Sequence, residues 1–573
     1  MCECVVKLFY ASLAIALILV PALSYAAAST ALSAYNGWID YRNPYLDALT
    51  EVDRVEVSGE AAAKHVVFVL LDGLDVRVLT DLSRKHDHIA SLLSLGAFYP
   101  NGLSNMPSYS LPARASILTG TPPELNEASS NDFKRTLKVD SLVKVAKESG
   151  YRILCSGDDS FRTLFSHLID ECVSVGDGGG HGALSLSKGL ELLKRHANMG
   201  HKVFLWVGVN DVDIMGHKAG FPGEEYNATV VNIVQLTMNF LNSLKRDGLS
   251  DDTLIVILTD HGFKRGAHHG GPEREVRRVF LLFLGPVVKP GVYDDAFTHN
   301  DVAPTVSMVM GWKIPANSIG VVLGGGFALP GDTVERYLRA SIDQGLRVVG
   351  ALSEATGLRT DPTTDPVSRY DSMTKDLRKG GGNLRLALAA AATSFAVVVT
   401  GLAVKVTVVR GLRRHLISLI IGLLAYELSF WASYALNNGP FSLSDIESFG
   451  WLISRIQTSA IVGGLVAGAI IGVVEFVPSR RDLFRALVIS VFTALAAILV
   501  SLAYALPFYV DYGASFRFPS PDMNDALFFF NSLMRSAFTG FFGAPLMVVA
   551  SVAFFASRWL NYRLRRGKES HGG

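Results

Sequence analysis

The sequence predicts an α/β domain, built as a mostly parallel sheet with helices on both faces, joined to an α-helical multi-span membrane domain. Three observations carry this. From about Lys64 to Leu329 short β-branched apolar runs alternate with amphipathic segments, the pattern of strands connected by crossover helices. Membrane-length apolar runs occur at the N-terminus and again after residue 384. Over 573 residues, 49% are hydrophobic and 18% charged, against roughly 25% charged in an average soluble domain, and mean hydropathy is +0.30.

The first element is the uninterrupted apolar segment from Leu8 to Ala28, behind a short start carrying Lys7. It reads as a signal anchor or a signal peptide, since Ser24 and Ala26 meet a small-residue cleavage rule; its length, close to the ~20 residues that cross a bilayer, favours the anchor. Either version exports the α/β domain behind it. The runs HVVFVLLD, YRILCSGDD, KVFLWVGVND, DTLIVILTDHG and RRVFLLFLG read as strands buried on both faces. A helical pattern from Val334 to Leu358 and a Pro, Asp and Gly-rich stretch from Asp361 read as a helix and linker. The expected division is 1–30 for the signal segment, 31–332 for the exported domain, 333–384 for the helix and linker, and 385–573 for the membrane domain with a basic tail.

Five spans are expected in that membrane domain, near Leu386–Val404, Leu416–Leu436, Ala460–Val477, Ala486–Leu506 and Gly540–Ala556. The connections after the first, third and fifth carry Arg410, Arg413 and Arg414, then Arg480, Arg481 and Arg485, then Arg558, Arg563, Arg565, Arg566 and Lys568. These are the inner loops, and the intervening loops, with Asp445 and Glu447 and then Asp511, Asp522 and Asp525, face outward. The rule puts the C-terminus in the cytoplasm and residues 30–384 outside it, in agreement with export by the first segment. Within the spans, Glu427 is expected to pair with another helix, and Gly464, Gly468 and Gly472 form a close-packing face.

Lys plus Arg (53) nearly cancel Asp plus Glu (52), which leaves no electrostatic footprint for nucleic acid, and no nucleic-acid binding is expected. The cysteines Cys2, Cys4, Cys155 and Cys172 are too few for a disulfide scaffold. Cys155 and Cys172 are either a disulfide in the exported portion or two buried thiols.

Chemistry collects where strands end. Asp72 closes the first strand, Asp213 and His217 follow the third at an Asp-x-x-x-His spacing, Asp260 and His261 close the fourth, and AHHGG supplies His268 and His269. Mixed carboxylate and imidazole ligands suit Zn²⁺ or a similar divalent ion, and their number exceeds what one tetrahedral ion needs, so two ions are implied. In NMPSYSLPARASILTGTPPE, Ser110 falls at a helix N-terminus, where backbone N–H groups favour an anion. It is an N-cap residue on the bland reading and a nucleophile beside a metal on the other.

These strings resemble the alkaline phosphatase superfamily, in its type I phosphodiesterase and nucleotide pyrophosphatase branch, over about residues 64–322. The resemblance implies an alkaline-phosphatase-like fold in which Asp72, Ser110, Asp260 and His261 hold one metal and Asp213, His217 and His269 the other. The ions are two divalent cations, Zn²⁺ or Mn²⁺. His269 is chosen over His268 because the family ligand directly precedes paired glycines; Phe263 stands where the family string has Met. Asn131, twelve residues past Thr119, falls where related enzymes bind a phosphoryl oxygen. Within the superfamily, GDDSFRTLF, DVDIMGHKAG and VAPTVSMVMGWKIPANSIG are similar to segments of the GPI ethanolamine-phosphate transferases, although the membrane region is shorter here. The resemblance implies a membrane-anchored two-metal phosphodiesterase or phosphoethanolamine-type transferase, acting through a phosphoserine on extracytoplasmic lipid or glycan phosphodiesters, with a phospholipid as substrate. SLPARASILTG also fits the sulfatase signature, with Ser110 as formylglycine precursor and Arg114 supporting the aldehyde hydrate. A catalytically inactive membrane scaffold is the reading from another class, and the presence of all seven ligands counts against it.

Overall fold

The computed structural model describes residues 2–176, 180–266, 268–358, 364–379, 412–477, 480–513 and 523–569. Residues 65–298 are built on one nine-stranded sheet: β1 His65–Leu71, β2 Ala97–Leu103, β3 Arg152–Gly157, β4 Glu171–Ser174, β5 Val203–Val209, β6 Thr253–Leu258, β7 Arg278–Leu284, β8 Gly291–Val292 and β9 Phe297–Thr298. The order is β4-β3-β5-β1-β6-β7-β2-β8, with β9 also beside β2. The strands from β4 to β6 are parallel, whereas β7 runs antiparallel to both β6 and β2.

Burial on both faces explains why β1 reads as a continuous apolar run. Side chains alternate across a strand, so Val66, Phe68 and Leu70 enter one core with Ala115 and Leu118 of the helix Ser110–Thr119. Val67, Val69 and Leu71 enter the other, with Ile233 and Val234 of the helix Glu224–Arg246. All five runs expected to be strands are strands. β2 escaped the reading because Pro100 and the Asn101-Gly102 pair interrupt its pattern, and its register with β7 shifts between Tyr99 and Gly102. β4, β8 and β9 are short edge elements with weak apolar signals. Cys155 of β3 and Cys172 of β4 are register partners and form a disulfide.

The segment expected as helix and linker is helical over Gly331–Thr356 and Pro366–Lys379. The first of these helices is docked on the sheet domain: Val348, Val349 and Leu352 pack with Leu49, Leu125 and Ile319, and Gln344 Nε2 donates to the Ala316 carbonyl at 2.6 Å.

Five helices among the described residues are long and apolar enough to cross a membrane: Leu13–Ile39, His415–Leu436, Phe449–Val474, Leu483–Tyr512 and Met523–Arg565. The span expected near Leu386–Val404 lies outside the described residues. The last expected span begins earlier than read. An amphipathic helix, Met523–Phe538, leads through the π-turn Thr539–Gly543 into the helix Ala544–Glu569. The Gly464, Gly468 and Gly472 stripe meets this last helix so closely that added Cβ atoms would lie 2.3, 2.1 and 2.6 Å from the carbonyl oxygens of Gly543, Met547 and Ser551. Glu427 pairs with Arg535, whose guanidinium sits 4.6 Å over the Phe430 ring.

His65, the first residue of β1, is buried, and its Nδ1 accepts from the Val203 N–H at 3.2 Å. Burial, aided by the charge of Lys64, lowers its pKa to about 4. An unfolded chain therefore binds a proton here below pH ~6.5 that the folded chain refuses, and stability falls as pH drops from ~6.5 toward 4, at about 1.4 kcal/mol per pH unit for this group. The variant His65→Asn, which keeps an acceptor without a titrating ring, is expected to lose less stability between pH 7 and 5, as measured by denaturant unfolding of the detergent-solubilised protein.

Candidate active site

The carboxyl end of the central strands delivers the site. Asp72 follows β1, Asp213 and His217 lie one turn apart on the helix Asp211–Ala219 after β5, and Asp260 and His261 follow β6. Gly73 has a positive φ of 65°, and a Cβ there would lie 2.8 Å from that of Asp213, so only glycine lets these two strand ends approach. Opposite them, the helix Ser110–Thr119 is buried from Leu111 to its end and stops at Gly120 in the left-handed region, with φ 74°. Ser110, half-buried, is its first residue and the one side chain of the helix left open to the site.

The seven residues expected around the metals converge. Ser110 Oγ lies 3.2 Å from His261 Nε2 and 3.5 Å from Asp72 Oδ1. His261 Nε2 is 3.4 Å from Asp72 Oδ1 and 3.9 Å from Asp213 Oδ1, and so faces both halves of the site. His269 Nε2 and His217 Nε2 are each 3.4 Å from Asp213 Oδ1 and 3.0 Å from one another. Two sets of donor atoms lie within 4.8 Å of one another and can bind a metal: Asp72, Asp260 and His261, and Asp213, His261 and His269. The grouping differs from the expected division in one respect, because His261 reaches both sets while His217 stands at the open side. Asn131 accepts the Leu111 N–H on its Oδ1 at 3.0 Å, which ties it to the start of the Ser110 helix, and it lines the same cavity as His217 and His269.

Tautomers follow from carbonyl partners, which only accept. His261 Nδ1 donates to the Gly262 carbonyl and His269 Nδ1 to the Ser108 carbonyl, both at 3.2 Å. Both rings therefore carry a proton on Nδ1 and turn Nε2 toward the site, the arrangement that orients metal-ligating imidazoles. Phe263, fully buried, meets the rings of His217 and His269 edge-on at 5.4 and 5.5 Å. It serves as a rigid apolar floor.

The electrostatics are those of a cation site. Burial and the charge of Asp260 raise Asp72 well above the usual carboxylate range. Burial would raise Asp213 too, but the His217 hydrogen bond and the neighbouring His269 and His261 imidazoles outweigh it and hold it low. Burial and the nearby His261 push His269 well below the usual histidine value. Asp213 Oδ1 is buried 3.4 Å from the imidazole nitrogens of His217 and His269, and Asp260 Oδ2 is buried 3.6 Å from Arg114 Nε, both longer than a strong hydrogen bond. Buried carboxylates crowded against imidazole nitrogens are costly unless positive charge sits between them, so the residues fit divalent ions.

Residues 66–153 and 156–276 match the family described as type I phosphodiesterase / nucleotide pyrophosphatase. The similarity is confined to that part of the chain, which holds all seven candidate ligands. Among curated relatives, GPI ethanolamine phosphate transferase 2 of Saccharomyces cerevisiae is 24% identical over 300 residues, covering 45% of this chain and 35% of that protein. The catalytic subunit of human GPI ethanolamine phosphate transferase 3 is 25% identical over 222 residues, covering 38% of this chain and 20% of that protein. The chain thus spans about a third or less of the length of these relatives. A Vibrio parahaemolyticus protein of the alkaline phosphatase superfamily superposes with a TM-score of 0.40 at 17% identity, covering 52% of this chain and 78% of that one.

Three features of the site differ from or go beyond what the sequence implies, where Arg114 enters only through the sulfatase signature. Arg114, one turn after Ser110, is buried and ion-pairs with Asp72, with Asp158 at 2.7 Å and with Asp260 at 3.6 Å. Its spacing from Ser110 is the signal that places both on one helix face. Asp158, at the end of β3, also accepts from Asn210 Nδ2 at 2.7 Å; although burial opposes it, Arg114 and the hydrogen bonds from Ser160 and Asn210 hold its pKa at about 2. The third is a cavity of about 320 Å³ in which His269 and Asn131 face Trp38, Phe449 and Leu527 of the apolar helices. Only the folded chain brings these together.

Removing Arg114 leaves three buried carboxylates without its charge. Arg114→Met is expected to destabilise the metal-free protein by about 3–5 kcal/mol. Denaturant unfolding with and without added Zn²⁺ checks this, and the ion is expected to narrow the difference.

Proposed function

We propose that the protein is a membrane-embedded phosphoethanolamine-type transferase, using two divalent ions and a phosphoserine at Ser110 to move a phosphoryl headgroup from a phospholipid to a lipid or glycan hydroxyl. The observation that carries the reading is the placement of Ser110 Oγ, 3.2 Å from His261 Nε2 and beside a cavity walled by the apolar helices. A headgroup phosphodiester held at the metal cluster has its acyl end directed at Trp38, Phe449 and Leu527, where apolar chains belong.

Asp72, Ser110, Asp260 and His261 would hold one ion and Asp213, His217 and His269 the other. When bound, the ions supply Lewis acidity that polarises the phosphoryl oxygens and favours a deprotonated serine. Ser110 gives up its hydroxyl proton and its Oγ bonds to phosphorus. The bond from phosphorus to the lipid alcohol breaks, and that alcohol leaves with a proton. An acceptor hydroxyl then attacks the phosphoserine, loses its proton, and Ser110 regains one. The helix N-terminus beneath Ser110 and the Asn131 amide stabilise the growing phosphoryl charge. His261, hydrogen-bonded to the Gly262 carbonyl, keeps the serine hydroxyl aimed at the cavity.

An extracytoplasmic catalytic domain is supported twice. The Cys155–Cys172 disulfide belongs in an oxidising compartment. The loop carrying Asp445, acidic and outward by the charge rule, makes an ion pair with Lys264 of the sheet domain, so both lie on one side. An uncleaved N-terminal anchor is supported by Ala16, Ala27, Ala31 and Ala34, all buried in the helical bundle. The second nitrogen-rich donor set argues against the sulfatase reading, which needs one Ca²⁺ on oxygen ligands.

Ser110→Ala is expected to lower turnover of a phosphatidylethanolamine donor by about 10³-fold or more while leaving thermal unfolding near wild type and the ion assigned to Asp213, His217 and His269 in place. Mass spectrometry of wild-type protein quenched with donor and no acceptor is expected to find phosphoethanolamine on Ser110. Formylglycine at that position, or full activity of the variant, would remove the proposal.

A further inference from the structure

The loop between the helices Leu412–Leu436 and Phe449–Val474 does more than connect them. Its short turn Leu443–Asp445 is closed by a reciprocal capping arrangement between Ser442 and Asp445, and Ser444 within it is completely buried. Ser444 is buried against the catalytic domain. Its carbonyl accepts from the His268 N–H at 2.7 Å, its Oγ accepts from the Gly271 N–H at 2.8 Å, and its hydroxyl donates to Glu273 Oε2 at 2.7 Å. One serine of a membrane-domain loop therefore brackets His269 and Gly270 on both sides. The fit is tight, since a Cβ on Gly271 would lie 2.4 Å from Ser442 Oγ and 2.5 Å from Ser444 Oγ. Lys264, which pairs with Asp445 and lies 3.3 Å from Glu273, adds an ionic tie across the same joint.

The opposite side of this segment is held by the catalytic domain itself. Ser108, two residues before Ser110, donates to the Gly271 carbonyl at 2.9 Å and offers its own carbonyl to His269. The His268 ring, on the peptide that Ser444 anchors, meets His217 at 2.7 Å between Nδ1 atoms. His269 and His217 are two of the three residues assigned to the second ion.

We infer that Ser444 is a positioning residue for the second metal: the membrane domain, through this one loop, holds His269 and His217 in register with Asp213. The inference rests on the two-ion reading of the site. Without the Ser444 hydroxyl the Gly271 N–H loses its acceptor and Glu273 its donor, and the segment carrying His269 is held on this side by the His268 N–H to the Ser444 carbonyl and opposite by Ser108. Loss of a group that orients metal ligands lowers affinity by about 10–100-fold. The other set, Asp72, Ser110, Asp260 and His261, sits on strand ends and a buried helix that Ser444 does not touch, and its affinity stays as it is.

The experiment is a chelator titration of full-length, Zn²⁺-loaded protein in detergent, with bound zinc counted by mass spectrometry at each step. Wild type is expected to release two ions. In Ser444→Ala one of the two leaves at about 10–100-fold lower chelator concentration and the other at the wild-type concentration. Gly271→Ala, which presses on the same joint from the catalytic side, behaves alike, and Asp445→Asn shifts the same ion by less. Asp445→Asn removes only the partly exposed tie and carries the test should Ser444→Ala not fold. A wild type that holds fewer than two ions defeats the two-ion reading itself. A wild type with two ions and variants that release both as wild type does, or that lose both together, overturns the role of Ser444 alone.

Discussion

The repulsion among buried carboxylates at the end of the sheet is the constraint around which the rest is arranged. Asp72, Asp158, Asp213 and Asp260 are crowded where β1, β3, β5 and β6 end, and water does not reach most of them. Uncompensated charge at such depth is far more expensive than any single packing interaction. Arg114 answers part of it by reaching Asp72, Asp158 and Asp260 from the floor of the helix that carries Ser110. Asp213 Oδ1, buried beside the imidazoles of His217 and His269 and beyond the reach of Arg114 in the ion pairs above, marks what that guanidinium leaves unanswered. The helix that carries Ser110 is thus locked by these charges to the strand ends that carry the candidate metal ligands.

The membrane helices enter this balance from the other side. Their packing is of two kinds: a small-residue stripe at Gly464, Gly468 and Gly472 that lets backbones touch, and the ion pair of Glu427 with Arg535 shielded by aromatic rings. Neither reaches the catalytic domain. Contact is made by the N-terminal helix, which brings Trp38 to the cavity, and by the loop around Ser444. Because sequence-distant elements meet there, the position of the membrane bundle fixes the shape of the cavity beside the nucleophile.

Much of this was legible in the residues, for identifiable reasons. Strands buried on both faces need continuous apolar runs, and HVVFVLLD or DTLIVILT has few alternatives of that length. Chemistry follows strand ends, so Asp72, Asp213, Asp260 and His261 stood out by position as much as by type. β2 was lost because its proline and bulge break the period, and β7 betrayed its burial but not its antiparallel direction, which depends on the path of the chain after Arg274. The helix Gly331–Thr356 showed its periodicity, yet its docking on Leu49 and Ile319 is tertiary. The start of the last span was misjudged because Met523–Phe538 is amphipathic, and one polar face hides a helix from a hydropathy reading. Ser444 carried no signal at all: a serine in a loop declares nothing until the partner peptide is seen.

On the proposed function, the cavity bears on whether a phosphoserine at Ser110 would go to water or to another hydroxyl. Both outcomes use the same nucleophile and the same leaving step, so the ligands do not distinguish them. What differs is the second reactant's route. On the proposed reading the route is lined by Trp38, Tyr109, Phe449 and Leu527, a wall that gains nothing from hydrating and gains from covering an apolar chain. A lipid filling it removes water from beside Ser110 and leaves the polar rim, with Asn131 and His217, as the hydrogen-bonding edge from which an acceptor can approach. Selection for transfer then needs no special catalytic group. It follows from placing a metal-type site, which would hydrolyse phosphodiesters in open solvent, at the wet end of a greasy slot.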